Sequence, residues 1–225
     1  MVEVARRSTF TQSQEDYLKA LYHLHGDSRP VPTRDLAQRL GISSPSVSEM
    51  VNRLVAQGLV EHDRYRGQQL TRDGRKVALE LVRHHRLLEM FLVQVLGYSW
   101  DEVHEEAERL EHVISERMEQ RIFELLGRPE LDPHGHAIPS VTGKVRPPSE
   151  RALNECHAGE KVVVQGVSDD DPAKLRELER RGILPGTHID VLAPSQYEGP
   201  IEVRIKGRRL HVPLGLARAM FVERR

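Results

Sequence analysis

Cysteine is nearly absent from this chain: its 225 residues contain one, Cys156. A single thiol excludes an internal disulfide framework and any multi-cysteine zinc or iron–sulfur site, and it reads as a small core residue. No apolar run approaches the roughly 18 residues that a membrane-spanning helix needs. No apolar stretch follows Arg6 and Arg7 either, so a signal peptide is not expected, and the chain reads as soluble, cytoplasmic and free of membrane contact. Internal repeats and low-complexity segments are missing. So are a His-Glu-x-x-His motif, a pair of Glu-x-x-His motifs and a glycine-rich phosphate loop, which argues against an enzyme acting on a small organic substrate.

Net charge is also small, −1 with histidine neutral, so no globally basic footprint announces nucleic acid. The balance is uneven, however. Residues 1–75 carry +2, residues 76–126 carry −5 together with four histidines, and residues 127–225 carry +2.

The first 75 residues hold three helical patterns and a hairpin. Tyr17, Leu18, Leu21, Tyr22 and Leu24 recur at helical spacing over residues 12–25. Thr33 caps a short helix with Leu36, Ala37 and Leu40 inward, stopped by Gly41. Ser44 caps a second helix over 45–57, with Pro45 at the first position, where a missing N–H costs nothing. Its inward face is Val47, Met50, Val51, Leu54 and Val55. Strands at 59–62 and 68–70 flank a charged tip at 63–67. Two short helices, a tight turn and a basic-tipped hairpin describe a winged helix–turn–helix.

The second helix presents Ser44, Ser46, Ser48, Glu49 and Asn52 outward, groups that reach base edges and phosphates. Arg53, Arg64 and Arg66, with Arg6 and Arg7, supply charge for a phosphate backbone. Duplex DNA is therefore the expected partner. A winged helix used for protein contact is the alternative.

Residues 76–126 read as two long helices, one from Thr71 to about Leu96 and one capped by Ser99 and running to about Leu126. Stepping about 100° per residue along the second, Val103, Ala107, Leu110, Ile114 and Met118 form an apolar stripe. Glu102, Glu105, Glu106, Arg109 and Glu116 face solvent. His104, Glu108, Glu111 and His112 border the core, where carboxylates are costly unless paired or metal-bound. On the preceding helix His85 and Glu89 share a face with Leu81, Leu88 and Leu92. Imidazole and carboxylate pairs on adjoining helices are what a divalent transition metal needs. His84 points away, and His134 and His136 read as loop residues with structural or surface roles rather than as ligands.

A Pro/Gly-rich linker occupies 128–151. Beyond it, strands are expected at 161–167, 188–192, 201–205 and 208–212 with a helix at 172–181, as in a small five-stranded barrel of about 70 residues.

Taken together, these residues resemble the diphtheria-toxin-repressor family of metal-dependent transcriptional regulators. The resemblance rests on SQEDYLKALY at 13–22, the helix–turn–helix, RHHRLLE at 83–89, WDEVHEEAERLEH at 100–112 and DPHGHAIP at 132–139. The end of the chain is similar to the iron-transport accessory (FeoA) module, through GILPGT at 182–187. The resemblance implies a mainly α protein with a small β-barrel. Its parts are a winged helix–turn–helix domain at 1–75, a helical metal-binding and dimerisation domain at 76–140, a linker at 141–152 and an SH3-like barrel at 153–225.

It implies a homodimer that represses metal-uptake genes by binding operator DNA, with Thr33 and Pro45 among the DNA-facing residues. Its primary metal site would be Asp16, Glu108, Glu111 and His112. An ancillary site would be His85, Glu89 and His104, joined by Asp171 or Asp170 unless that acidic run simply caps the next helix. Iron-type members place methionine and cysteine where Asp16 and Glu108 stand. Carboxylates there match manganese-type members and favour a hard ion, Mn²⁺, with Fe²⁺ the alternative. Short manganese-type members carry a glutamate where this chain has Lys19.

Overall fold

The computed structural model describes residues 10–225 except 148, 150 and 196; Arg6 and Arg7 lie outside the described residues. Two units emerge. The first comprises the described residues through His85 with Leu110–Gln120 and Pro139–Lys144, and the second Arg86–Arg109, Arg121–Ile138 and Val145–Arg225.

In the first unit, Thr11 opens α1 (Gln12–His23) with a reciprocal cap: its hydroxyl accepts from Gln14 N–H while the Gln14 side chain accepts from Thr11 N–H. Leu18 and Leu21 are buried against Leu36 of α2 (Thr33–Leu40) and Val47, Val51 and Leu54 of α3 (Ser44–Ala56). Two caps shift from the sequence reading by one residue. Ser43, not Ser44, accepts from Ser46 N–H, and Pro32 precedes α2, leaving the Thr33 hydroxyl to donate to Gln68 Oε1 at 3.3 Å. Val55, expected inward, is 40% exposed.

The wing pairs β1 (Val60–Asp63) with β2 (Gly67–Leu70), and Val31 bridges to Gln68 on the outside of β2. Gly67 makes that approach possible. Its φ is +107°, and a Cβ there would meet the Val31 carbonyl oxygen at 2.1 Å. At the tip, Asp63 accepts from the N–H groups of Tyr65 and Arg66, which holds its carboxyl below the usual range.

Helix α4 runs over Arg72–Gln94, capped by the Thr71 hydroxyl, which accepts from Gly74 N–H. The long helix expected after Ser99 is instead two, α5 (Val103–Leu110) and α6 (Glu116–Leu125). The break falls at the β-branched pair Val113–Ile114, after which Ser115 caps anew by accepting from Met118 N–H. Met118, placed on the apolar stripe by extrapolating through the break, is 45% exposed.

In the second unit, five antiparallel strands lie in the order β6-β5-β4-β3-β7. They are β3 (Lys161–Val167), β4 (His188–Ala193), β5 (Ile201–Ile205), β6 (Arg208–Val212) and β7 (Met220–Arg224), with α7 (Pro172–Arg180) and α8 (Leu214–Arg218) between them. Strand β7 completes the five; its MFVER alternation follows α8 so closely that the sequence reading passed over it. Alternate residues Val162, Val164, Ile189, Val191, Val203 and Val222 fill the core, where Cys156 is also buried. Among the described residues no helix is long and apolar enough to cross a membrane.

Candidate metal centre and DNA interface

Asp16 projects from α1, and Glu111 and His112 from the turn that follows α5. One carboxylate oxygen or ring nitrogen of each lies within 4.8 Å of the others. His112 Nε2 stands 3.1 Å from Asp16 Oδ1 and 3.6 Å from Glu111 Oε1, and His112 Nδ1 is 2.6 Å from Glu15 Oε2. Burial works against a charged His112. The hydrogen bonds to Asp16 and Glu15 and the charge of Glu111 outweigh it and raise the ring to about 9.

Two further groups complete the cluster: Lys19 Nζ lies 2.8 Å from both oxygens of Glu111, and His85 Nδ1 lies 2.5 Å from Oε2. Asp16 is the most open member, its side chain 37% exposed against 0% for Glu111.

Behind the cluster, His84 is fully buried with Nε2 2.9 Å from Glu119 Oε2 and Nδ1 3.3 Å from the Glu111 carbonyl oxygen. Arg83 donates to Glu119 and to the Pro139 carbonyl, both at 2.7 Å. His84 Nε2 also lies 3.4 Å from Glu116 Oε1, and with Glu80 and Glu116 it forms a further group of metal-capable side chains.

The other expected ligands are divided between the two units. Glu108 belongs to the second unit, where its Oε1 is 3.7 Å from Nε2 of His104, one turn earlier on α5. Of the ancillary set that the resemblance implies, His85 belongs to the first unit, where its Nδ1 meets Glu111, while Glu89 and His104 lie 3.3 Å apart in the second. Asp171 caps α7, accepting from the N–H groups of Ala173 and Lys174. Asp169 is the aspartate that joins a second cluster, with Glu89 and His134.

In that second cluster, His134 Nδ1 lies 3.7 Å from Glu89 Oε2, His104 Nδ1 lies 3.3 Å from Glu89 Oε1, and His136 Nδ1 lies 3.6 Å from Asp169 Oδ2. His134 is fully buried and stacked on Trp100 at 5.4 Å, and its Nε2 faces the Trp100 carbonyl at 3.0 Å. Burial opposes its protonation, yet Glu89, Asp132 and Asp169 raise it to about 9.

The loop that delivers His134 is shaped by Asp132, which accepts from the N–H groups of His134 and His136. It is seated by Gly135, where a Cβ would meet the Gln165 carbonyl oxygen at 2.0 Å. The Asp-Pro-His-Gly-His run was the available signal; reading it as a plain loop missed the buried His134 imidazole and the half-buried His136 beside it.

Helix α3 exposes Ser44, Pro45, Ser46, Ser48, Glu49, Asn52 and Arg53, and the wing exposes Arg64 and Arg66; Thr33 is half-buried. Glu49 is engaged by Arg53 at 2.5 Å. Two hydrogen bonds connect α1 to this helix and its end: Tyr17 donates to the Ser46 carbonyl at 3.4 Å, and Gln14 donates to Gln57 Oε1 at 3.0 Å.

Residues 9–68 match the iron-dependent-repressor N-terminal DNA-binding domain, residues 71–140 the metal-binding and dimerisation domain of the same repressors, and residues 151–224 the FeoA domain. The iron-dependent repressor IdeR of Mycobacterium leprae is 33% identical over 223 residues, 93% of this chain and 96% of that protein. A solved manganese-dependent transcriptional repressor in complex with manganese superposes with a TM-score of 0.87 at 42% identity, covering 94% of this chain and all of the other. The crystal structure of ScaR with bound Zn²⁺ gives a TM-score of 0.78 at 34% identity, covering 93% and 98%. The chain belongs to the iron-dependent repressor family.

Proposed function

We propose that this protein is a metal-dependent DNA-binding transcriptional repressor of divalent-metal uptake genes, a regulator and not an enzyme, activated by Mn²⁺. The observation that carries the reading is the convergence of Asp16 on α1 with Glu111 and His112, on the helix that also hydrogen-bonds the recognition helix α3. Two carboxylates and an imidazole fit a divalent cation, and the absence of sulfur among them favours Mn²⁺ over softer ions. A similar protein of known structure is named a manganese-dependent repressor.

A bound divalent ion supplies two positive charges at that point. Asp16 would hold α1 to it, Glu111 and His112 would hold the 111–115 turn, and Tyr17, which donates to the Ser46 carbonyl, would carry the position of α1 to α3. Ser44, Pro45, Ser46, Ser48, Glu49, Asn52 and Arg53 then meet a major groove, with Thr33, Arg64 and Arg66 on phosphates. A homodimer presents two such helices to half-sites about 34 Å apart. A second metal position is formed by Glu89, His134 and Asp169, with His104 and His136 at hand.

The domain reading is a DNA-binding domain at 1–75, a metal-binding and dimerisation domain at 76–140 and a FeoA-type domain at 153–225. A barrel form for the last is supported by register shifts at Val164/Gly166 and Val191/Ala193, the bends that let a sheet curl.

The test is binding to the DNA upstream of its own gene and of metal-uptake genes at fixed ionic strength, with chelator, Mn²⁺ or anaerobic Fe²⁺, alongside Asp16→Ala and an Arg64→Ala/Arg66→Ala variant. Binding that requires Mn²⁺, is lost in Asp16→Ala and has a shallower salt dependence in the wing variant is expected. Binding indifferent to chelator and to Asp16→Ala refutes the reading, and a stronger response to Fe²⁺ reassigns the metal.

A further inference from the structure

A cation is already built into the candidate metal centre. Lys19 follows Asp16 by one turn of α1, its side chain is 9% exposed, and its ammonium lies 2.8 Å from each oxygen of Glu111 and 3.3 Å from His85 Nδ1. Glu111 itself is fully buried.

We propose that Lys19 sets the metal affinity of this site: its ammonium is an internal counter-ion that holds Glu111 in the metal-free protein and keeps the site weak and limited to one ion. The proposal rests on the metal-sensing reading above and deepens it.

Two effects act in the same direction. An ammonium within a few ångströms of an incoming dication repels it and draws charge from the carboxylate that must bind it. The ammonium also relieves Glu111 in the metal-free state. A buried carboxylate stripped of that partner is costly, so without Lys19 the empty site would gain more from a cation.

Glu111 nonetheless keeps acceptor capacity, because a carboxylate offers about four lone-pair sites and its Oε1 also faces His112 at 3.6 Å. Asp16, His112 and Glu111 can therefore share one ion while Lys19 stays in place. The ammonium itself occupies the space between Glu111 and His85, so a second cation could use that pair only by displacing it. A sensor so arranged responds in a higher concentration range than its ligands alone would give.

The test compares full-length wild type, Lys19→Gln, Lys19→Arg and Asp16→Ala for MnCl₂ binding by equilibrium dialysis, and for thermal melting with chelator and with saturating Mn²⁺. Lys19→Gln is expected to bind Mn²⁺ at least about tenfold more tightly. It should melt below wild type with chelator, with the deficit closing at saturating Mn²⁺, while Lys19→Arg keeps affinity within about threefold. Lys19→Met, which keeps the bulk of the aliphatic stem, carries the same expectation and replaces the glutamine variant should that fail to fold.

Unchanged or weaker affinity in Lys19→Gln, with a melting deficit equal in both conditions, overturns the proposal and makes Lys19 a purely structural ion pair. If Asp16→Ala removes one equivalent of bound Mn²⁺ while Lys19→Gln leaves the affinity of that equivalent unmoved, only the Lys19 proposal falls. If neither wild type nor Lys19→Gln binds Mn²⁺, the metal-sensing reading falls with it.

Discussion

Proton competition at His112 should make this protein a weaker metal binder as pH falls. The ring lies between Glu15 and Asp16 at 2.6 and 3.1 Å, and those carboxylates with Glu111 keep it charged up to about pH 9 despite burial. A coordinating imidazole must present a bare nitrogen, so the Nε2 proton has to leave before His112 can serve as a ligand. With a pKa of about 9, roughly one molecule in a hundred has a neutral ring at pH 7, which makes Mn²⁺ affinity there about 100-fold weaker than its alkaline limit.

Between pH 6.5 and 8 the affinity should rise about tenfold per unit, with about one proton released per ion. Calorimetric titration of Mn²⁺ in buffers of different ionisation enthalpy measures both quantities. The metal-free protein should show the opposite trend. A histidine whose folded pKa is raised adds stability that is complete below its ordinary value of 6.5 and is lost as pH climbs toward 9, so chelated protein should melt lower across that window. A flat affinity between pH 6.5 and 8 with negligible proton release would refute the reasoning, because His112 would then not be exchanging a proton for the metal.

Two further expectations concern what holds the site and the wing. Gly67→Ala must push a Cβ out of the Val31 carbonyl at a φ of +107°, so it should cost about 2–4 kcal/mol in urea denaturation and weaken DNA binding; Gly41→Ala, at positive φ but in open space, should cost about 1–2 kcal/mol, and equal losses would discount the contact. Glu119→Leu strands the Arg83 guanidinium and His84, 4% and 0% exposed, and should cost about 3–5 kcal/mol, much of it recovered in the Arg83→Met/Glu119→Leu double variant. Although burial opposes it, His84 and Arg83 hold the Glu119 carboxyl below its ordinary 4.5, so this stabilisation is present above that pH and fades as acid reaches the lowered value; strictly additive single losses would show that the three groups do not act together.

Local pattern was legible wherever one element decides its own course. Apolar spacing located α1, α2, α3 and the wing to within a residue or two, and helical phase singled out Glu108, Glu111 and His112; Asp16 joined them only through the family resemblance. What escaped was set by partners distant in sequence. Lys19 meets Glu111 across 92 positions, and nothing in an amphipathic pattern distinguishes a lysine aimed inward from one in solvent. Stepping a constant 100° through 111–115 also assumed a helix that Val113, Ile114 and Ser115 interrupt, which explains why Met118 fell on the wrong side. His134 and Asp169 come together only because Gly135 lets the loop close onto β3, a contact made backbone to backbone.

The physical basis for linking metal to DNA lies in how much is asked of α1. Twelve residues make a helix too short to be stable by itself, so its position depends on the groups it engages. Leu18 and Leu21 seat it in the three-helix core, Gln14 and Tyr17 tie it to the end and start of α3, and Glu15, Asp16 and Lys19 face the 111–115 turn. That last face is held by the His112 ring, which lies between Glu15 and Asp16, and by the Lys19 ammonium on Glu111. A divalent ion held by Asp16, Glu111 and His112, as proposed above, would replace the first of these contacts with a multivalent one and would restrict α1 further. Only restriction that reaches α3, through Tyr17 on Ser46 and Gln14 on Gln57, would raise DNA affinity, since a ligand shifts an equilibrium by no more than its differential affinity for the two states. Tyr17 is therefore where coupling and metal affinity separate: losing its hydroxyl should reduce the metal-dependent gain in DNA binding while leaving Asp16, Glu111 and His112 to bind the ion as before.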